Sequence, residues 1–272
     1  MLRSLDLGAL NSATKYPPIP TYHQINPADG TLLPEPIEFP GQVVATEKVD
    51  GTNGRIVLLP SGEYVIGSRE ELLHARGDII ANPMLGIVDA LAPIAETLDP
   101  PAEGIAVYFL EVYGGRKISK ASKQYSGTGQ VGARLFDVAS IPMEMLTWTR
   151  ERLAAWRENG GQTFLPEDEL VEAAFVAALD WVPRLTAVAP GDLPTGLAQT
   201  RTFLGELLPL TYVALDADAG CLPEGIVFRA LDRSVISKAR FQDYDRTLRK
   251  LNAAAPAKPR TPAAVNQEEV AL

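Results

Sequence analysis

Residues 41–54 read Gly41-Gln42-Val43-Val44-Ala45-Thr46-Glu47-Lys48-Val49-Asp50-Gly51-Thr52-Asn53-Gly54. A β-branched run stops at a lysine, turns, and leads into a second apolar run, GRIVLLP, which is the pattern of two strands joined through Lys48. A lysine at a strand end is ordinarily a solvated cation. Here a carboxylate follows two residues later and a glycine after that, so the backbone can approach closely and hold a phosphate against the amine. A free lysine titrates near 10.4, leaving about one in two thousand neutral at pH 7, so a nucleophilic Lys48 needs nearby cations.

Outward from this turn, LLPSGEYVIGS predicts a hairpin at Ser61-Gly62, and IAVYFLEVY, ARLFDVA, EGIVFRALD and SVISKARF predict further strands. Residues 78–98 suit one or two helices interrupted near Pro83. MLTWTRERLAAWREN predicts a helix ending at Gly160-Gly161, and Val171, Ala174, Phe175, Ala178 and Leu179 fall at helical spacing, so 141–223 reads as a largely helical section. A helix over YDRTLRKLN closes the ordered part. Proline and turn formers mark 1–40 as an irregular lead-in, and 253–272 has the composition of a disordered tail, leaving one domain over 41–252.

Among its 272 residues the chain has one cysteine, Cys221, and two histidines. An intramolecular disulfide is excluded and a Cys/His zinc site nearly so. No run reaches the roughly 18 to 20 apolar residues of a membrane span, and the amino terminus lacks a signal-peptide core, so the chain reads as a soluble, cytoplasmic protein with no membrane partner. The net charge of -9 argues against indiscriminate coating of nucleic acid. That excess is local, however. Residues 141–223 carry 12 acidic and 5 basic side chains, whereas 115–134 carries five basic and no acidic ones and 225–250 seven basic against three acidic.

Strand parity supplies the other candidates. Lys238 and Arg240 lie two apart and share a face, so both can grip one phosphate. Glu111 shares a face with Val107, Phe109 and Tyr113, an odd place for a carboxylate without a ligand or cation. Glu224 shares one with Ile226 and Phe228.

Lys48-Val49-Asp50-Gly51, Gly67-Ser68-Arg69, Phe109-Leu110-Glu111-Val112-Tyr113-Gly114, Leu135-Phe136-Asp137-Val138, Glu224-Gly225-Ile226-Val227-Phe228-Arg229 and Ile236-Ser237-Lys238-Ala239-Arg240 occur in this order. The series resembles the covalent nucleotidyltransferase superfamily of polynucleotide ligases and messenger-RNA capping enzymes. It is most similar to RNA ligases of the phage nick-sealing and kinetoplastid RNA-editing type, because Asn53 stands where DNA ligases and capping enzymes carry arginine. The resemblance implies an α+β fold, a nucleotidyltransferase domain of antiparallel sheets flanked by helices with the nucleotide between them. It also implies an ATP-dependent reaction with magnesium, or manganese in its place, in which Lys48 forms a lysyl-AMP intermediate and 5'-phosphate and 3'-hydroxyl RNA ends, or a nicked duplex, are joined.

By resemblance, Glu47 and Val49, with Thr46, contact the base through their backbone, and Asp50, Gly51 and Asn53 complete the nucleotide-binding turn. Arg69 meets the ribose or the substrate phosphate, Glu111 the ribose, and Phe136 stacks on adenine. Glu224 organises the metal and its water shell, and Lys238 and Arg240 act on the phosphate. Two departures stand out: Arg240 replaces a usual lysine, and Asp50 occupies a position where the nearest RNA ligases carry histidine. Only 32 residues follow Arg240, too few for an appended oligonucleotide-binding barrel. By analogy with the editing ligases, the expectation is weak sealing alone, or an RNA-binding protein partner. A DNA-joining enzyme, a GTP-using capping-type enzyme, another adenylyltransferase and a non-catalytic nucleotide-binding scaffold share enough of these residues to remain alternatives.

Overall fold

Lys48 ends one strand and Thr52 begins the next, and the two strands belong to different sheets. The structure is a computed structural model that describes residues 2–75, 78–79, 86–116 and 118–254. In chain order the elements are α1 (Leu7–Thr14), β1 (His23–Ile25), β2 (Leu32–Pro36), β3 (Val43–Lys48), β4 (Thr52–Leu58), β5 (Tyr64–Ser68), β6 (Leu72–Ala75) and β7 (Asp78–Ile79). They continue with α2 (Ile87–Ala95), β8 (Ile105–Gly114), α3 (Ser122–Tyr125), β9 (Val131–Ile141), α4 (Arg150–Glu158), β10 (Thr163–Phe164) and α5 (Glu167–Val176). The last are β11 (Arg184–Val188), α6 (Leu197–Leu207), β12 (Gly225–Ala230), β13 (Ile236–Arg240) and α7 (Phe241–Ala254).

A seven-stranded sheet runs β10-β9-β8-β4-β5-β6-β7 and a four-stranded sheet β11-β3-β12-β13, with every neighbouring pair antiparallel. Alternation along β3 and β12 explains the layering. Val43, Ala45, Ile226 and Phe228 point outward into a core shared with Leu204 and Leu208 from the α6 region and Tyr244 of α7. Thr46, Lys48 and Val227, at the alternate positions, line a cavity between the sheets. In the larger sheet, Ile56, Leu58, Leu110 and Val112 pack against α2 and α5. Val57, Val107, Phe109 and Ala139 pack on the opposite face with α1 and with Leu153 of α4. Among the described residues no helix is long and apolar enough to cross a membrane.

The hairpin at Ser61-Gly62 forms as predicted, with Gly62 at a φ of 78°. Several expectations change. Asp78 and Ile79 pair with β6 rather than entering a helix, α2 begins at Ile87, and Pro83 lies outside the described residues. The lead-in is partly regular: Asp6 caps α1 by accepting from the Gly8 and Ala9 amides at 2.7 and 3.2 Å, and Ala9, Leu10 and Ala13 are buried. Thr21 bridges Lys238 at the edge of the smaller sheet. The turn-forming composition hides these contacts because each element is short.

Residues 141–223 hold α4, α5 and α6 but also β10 and β11, which edge the two sheets. The helix expected over 145–159 starts only at Arg150, where Thr149 caps it. On α5 the buried face is Leu170 and Ala174, while Phe175 is 77% exposed and Ala178 lies beyond the helix at a φ of 51°. Ala174 and Leu179 are buried as expected, and Leu170 rather than Phe175 completes the buried side. At the carboxyl end α7 extends to Ala254, and the rest of the expected tail lies outside the described residues.

A network of buried charges joins the two sheets. Asp137 of β9 is fully buried and accepts from Arg229 of β12 at 2.9 Å, from Arg233 at 2.9 Å and from the Tyr16 hydroxyl at 2.8 Å. Arg229 also meets Glu167 at 3.2 Å, and Glu167 accepts from Arg184 of β11 at 2.7 Å. Removing one member strands the others in a poorly solvated interior. Asp137→Ala therefore loses about 3 kcal/mol or more of unfolding free energy in denaturant titration.

His23 is fully buried. One ring nitrogen faces the Tyr244 hydroxyl at 2.8 Å and the other the Thr195 carbonyl at 2.9 Å, which a neutral ring satisfies by accepting from the hydroxyl and donating to the carbonyl. Desolvation lowers its pKa from 6.5, so the unfolded chain binds this proton more readily than the folded one. Its contribution to stability is present above 6.5 and is lost as the pH falls below it. Melting temperatures measured at pH 7.5 and 5.5 fall less in His23→Gln than in the wild type.

Candidate active site

The turn that crosses between the sheets is fixed on every side. Gly51 donates its amide to Glu111 Oε1 at 2.9 Å, Asp50 donates its amide to the Tyr125 hydroxyl at 2.6 Å, and Thr52 donates its hydroxyl to the Ile118 carbonyl at 2.7 Å. A Cβ on Gly51 would stand 2.2 Å from the Val112 carbonyl. Glycine is required here by the close pass of β8, so the close approach read from the sequence is to this strand.

Lys48 Nζ lies 2.5 Å from Glu224 Oε2, and both side chains are mostly buried. Burial raises the pKa of Glu224 above the ordinary carboxylate value, with the Lys48 charge pulling the other way. Glu224 falls one residue before β12, so strand parity does not govern it: Ile226 and Phe228 face the outer core while its carboxylate turns to Lys48. Lys238, opposite Val227 on β13, lines the cavity; desolvation lowers its pKa, helped by the charges of Arg240, Lys48 and Arg69.

The facing wall comes from the seven-stranded sheet. Asn53 and Glu111 are cross-strand partners on β4 and β8, and both line the cavity. Burial pushes Glu111 up to about 7 against the opposing pull of Lys48, and Asn53 Oδ1 is buried without a hydrogen-bond partner. A bulge in β9 sets Phe109 opposite Asp137 and Leu110 opposite Leu135, leaving Phe136 as the extra residue. Phe136 and Asp137 consequently both turn toward the space between the sheets, while Leu135 and Val138 pack on the outer face. Phe136 lies on the wall of this cavity of about 400 Å³, as do Val227 and Arg69.

Two candidates are placed differently. Glu47 accepts from Thr211 and, at 2.9 Å, from the Tyr212 amide on the outer side, so its backbone rather than its carboxylate borders the cavity beside Val49. Arg240 keeps the face predicted for it but makes two hydrogen bonds to Asp243, at 2.7 and 3.2 Å, and lies off the cavity wall. Asp243 is 1% exposed and sits one turn along the chain, where it can claim the guanidinium.

Sequence reasoning misses Tyr16, whose ring lies edge-on to Phe136 at 5.0 Å, and Arg229 and Arg184, which also border the cavity. A charge at an inward position within GIVFRA is the signal that marks Arg229. Among the described residues no group of three or more His, Cys, Asp or Glu side chains is close enough to hold a bare metal ion. Asp50, Glu111 and Glu224 nevertheless gather around Lys48 closely enough for their charges to act on one another.

Similarity to known proteins agrees with this arrangement. The fold resembles an archaeal ATP-dependent RNA ligase, at 21% identity and a TM-score of 0.51 over 88% of this chain and 51% of that one. It also resembles a Naegleria gruberi RNA ligase variant with ATP and Mn, at 13% identity and a TM-score of 0.52 over 86% of this chain and 62% of that one. The chain thus spans about half to three fifths of these solved relatives. No curated protein sequence matches it. Residues 41–247, which hold both sheets and every site residue named from the sequence, match the RNA ligase family, and the chain belongs to that family.

Proposed function

We propose that this chain is the nucleotidyltransferase domain of an ATP-dependent RNA ligase, with Lys48 as the residue that takes up AMP. The observation that carries this reading is the placement of Lys48 at the crossing between two sheets, on a cavity bordered by Lys238 and Arg69. Lys48 Nζ attacks the α-phosphorus of ATP, a P–N bond forms, and pyrophosphate leaves with the electrons of the broken P–O bond. AMP then passes to the 5'-phosphate of an RNA end, and the adjoining 3'-hydroxyl displaces it to form the phosphodiester.

The amine must surrender a proton before it attacks. Glu224 Oε2, 2.5 Å away and made more basic than an ordinary carboxylate by burial, is placed to receive it. Phe136 and Val227, from opposite sheets, offer apolar surfaces for the two faces of the base. Asn53 Oδ1 has an unused acceptor for a ribose hydroxyl, and Glu111 offers another. Lys238 and Arg69 offset the charge that gathers on the phosphoryl oxygens.

The carboxylates of Asp50, Glu111 and Glu224 are hard oxygen donors that suit magnesium or manganese held largely through water and phosphate oxygens. A metal bound there would supply further charge stabilisation at phosphorus. The exposed Arg116, Lys120 and Lys123, in the stretch free of acidic residues, give the neighbouring surface a positive charge suited to an RNA backbone.

Incubation with ATP labelled at the α-phosphate gives a protein band labelled through denaturing electrophoresis, and Lys48→Ala gives none. GTP and NAD label weakly or not at all, and transfer to nicked RNA exceeds transfer to nicked DNA. Labelling of Lys48→Ala equal to that of wild type contradicts the assignment.

Arg240 is held by Asp243, whereas Lys238 lines the cavity. Lys238→Ala consequently slows adduct formation at least about tenfold more than Arg240→Ala does, a difference of about 1.4 kcal/mol in barrier. Rates measured by quenched time courses distinguish the two.

A further inference from the structure

The turn after Lys48 and the segment leading into Glu224 come from strands 176 residues apart in sequence, yet one short segment holds both. Residues 118–125 connect β8 to β9 by way of α3. On one side, Ser119 donates its hydroxyl to the Asp50 carbonyl at 3.0 Å and the Tyr125 hydroxyl accepts from the Asp50 amide at 2.6 Å, so both backbone polar groups of Asp50 are taken. On the other side, the Gln124 carbonyl accepts from Cys221 at 2.9 Å, Gln124 Oε1 accepts from the Leu222 amide at 3.1 Å, and the Tyr125 carbonyl accepts from Leu215 at 2.8 Å. Leu222 lies two residues before Glu224. The Lys48–Glu224 ion pair closes these contacts into a ring around the amine.

Tyr125 is the centre of that ring. It is fully buried, its ring lies edge-on to Tyr113 at 5.2 Å, and it belongs to a small core with Val49 and Val213. Its hydroxyl is thus held where packing puts it, and it fixes the Asp50 backbone in turn.

We propose that residues 118–125 form a positioning bracket, with Tyr125 as its principal positioning residue, which sets the placement of Asp50 and Glu224 on either side of Lys48. The proposal rests on the reading of Lys48 as the residue that takes up AMP. Misplacement of reacting groups by a fraction of an ångström slows a reaction without weakening the binding of its substrate to the same degree. The bracket therefore acts on the rate of P–N bond formation more than on the affinity for ATP.

The test compares Tyr125→Phe, which keeps the ring and removes the acceptor for Asp50, with Ser126→Ala. Ser126→Ala loosens the connection just beyond this segment, where Ser126 donates to Asp216 at 2.5 Å and accepts from the Gly129 and Gln130 amides, without touching the Asp50 turn. In single-turnover formation of the protein-AMP adduct at saturating ATP and magnesium, Tyr125→Phe is slower by about tenfold or more, with the ATP concentration for half-saturation within about twofold of wild type. Ser126→Ala keeps the wild-type rate even where its melting temperature falls. A Tyr125→Phe rate within about twofold of wild type overturns the proposal, as does an equal loss in Ser126→Ala.

If Tyr125→Phe does not fold, Gln124→Ala, which removes the acceptor for Leu222, takes its place with the same criteria. Wild-type protein that forms no adduct contradicts the proposed function, and amide hydrogen exchange then tests the bracket by itself. Faster exchange at the Asp50 amide in Tyr125→Phe than in Ser126→Ala supports it, and equal exchange overturns it.

Discussion

Asp137 is a carboxylate with no exposure to water, and a charge so placed is tolerable only when fully paired. Its partners arrive from the opposite sheet, the following turn and the amino-terminal segment: Arg229, Arg233 and Tyr16. The two sheets are therefore held together by an interaction that fails if either shifts. The bulge that turns Asp137 toward these partners also turns Phe136 into the cleft, so one irregularity in β9 serves both the joint and the cavity wall. Arg184, Glu167 and Arg229 extend the alternation of charge along the same wall. The balance matters because unpaired arginines at this depth would have no water to solvate them.

The cleft is the consequence of how each sheet divides its two faces. In the four-stranded sheet, Val43, Ala45, Ile226 and Phe228 go outward to α6 and α7, and the inner positions carry Lys48, Arg229 and Lys238 beside Thr46, Val227 and Ile236. Charged side chains at these positions cannot be sealed under an apolar layer without losing their solvation, and a cavity remains beside them. Lys48 stands where the chain leaves this sheet for the other, which lets groups from both reach it. The positively charged stretch after β8 borders the same turn, whereas the acidic excess of 141–223 is spread over α4, α5, α6 and their connections. The net charge of -9 is therefore an average over unlike regions of the chain.

Much of this architecture is legible in the chain because it follows strand parity. The apolar runs at 43–47, 54–59, 105–113 and 225–230 all become strands, and the parity that sets Glu111 beside Val107 and Phe109 holds. Parity fails where the backbone leaves the ladder. The bulge at Phe136 places two successive residues on one face, and Glu224 lies just outside its strand. Arg240 shows a different limit: its face is right, but the buried Asp243 on the next helix takes its guanidinium. The regular parts of the lead-in are hidden because a cap at Asp6 and tertiary contacts, rather than a long periodic run, hold them. The bracket of residues 118–125 is made of side-chain to backbone bonds between distant segments, and such bonds leave no periodic trace in a sequence.

On the proposed function, the two sheets form a nucleotide cleft whose reacting group is the Lys48 amine. A crystal structure of the protein after incubation with ATP and magnesium tests it most directly. The expected result is electron density continuous from Lys48 Nζ to the phosphorus of AMP, with the base between Phe136 and Val227 and the ribose facing Asn53 and Glu111. Nucleotide bound elsewhere, or an AMP joined to a different side chain, would contradict it.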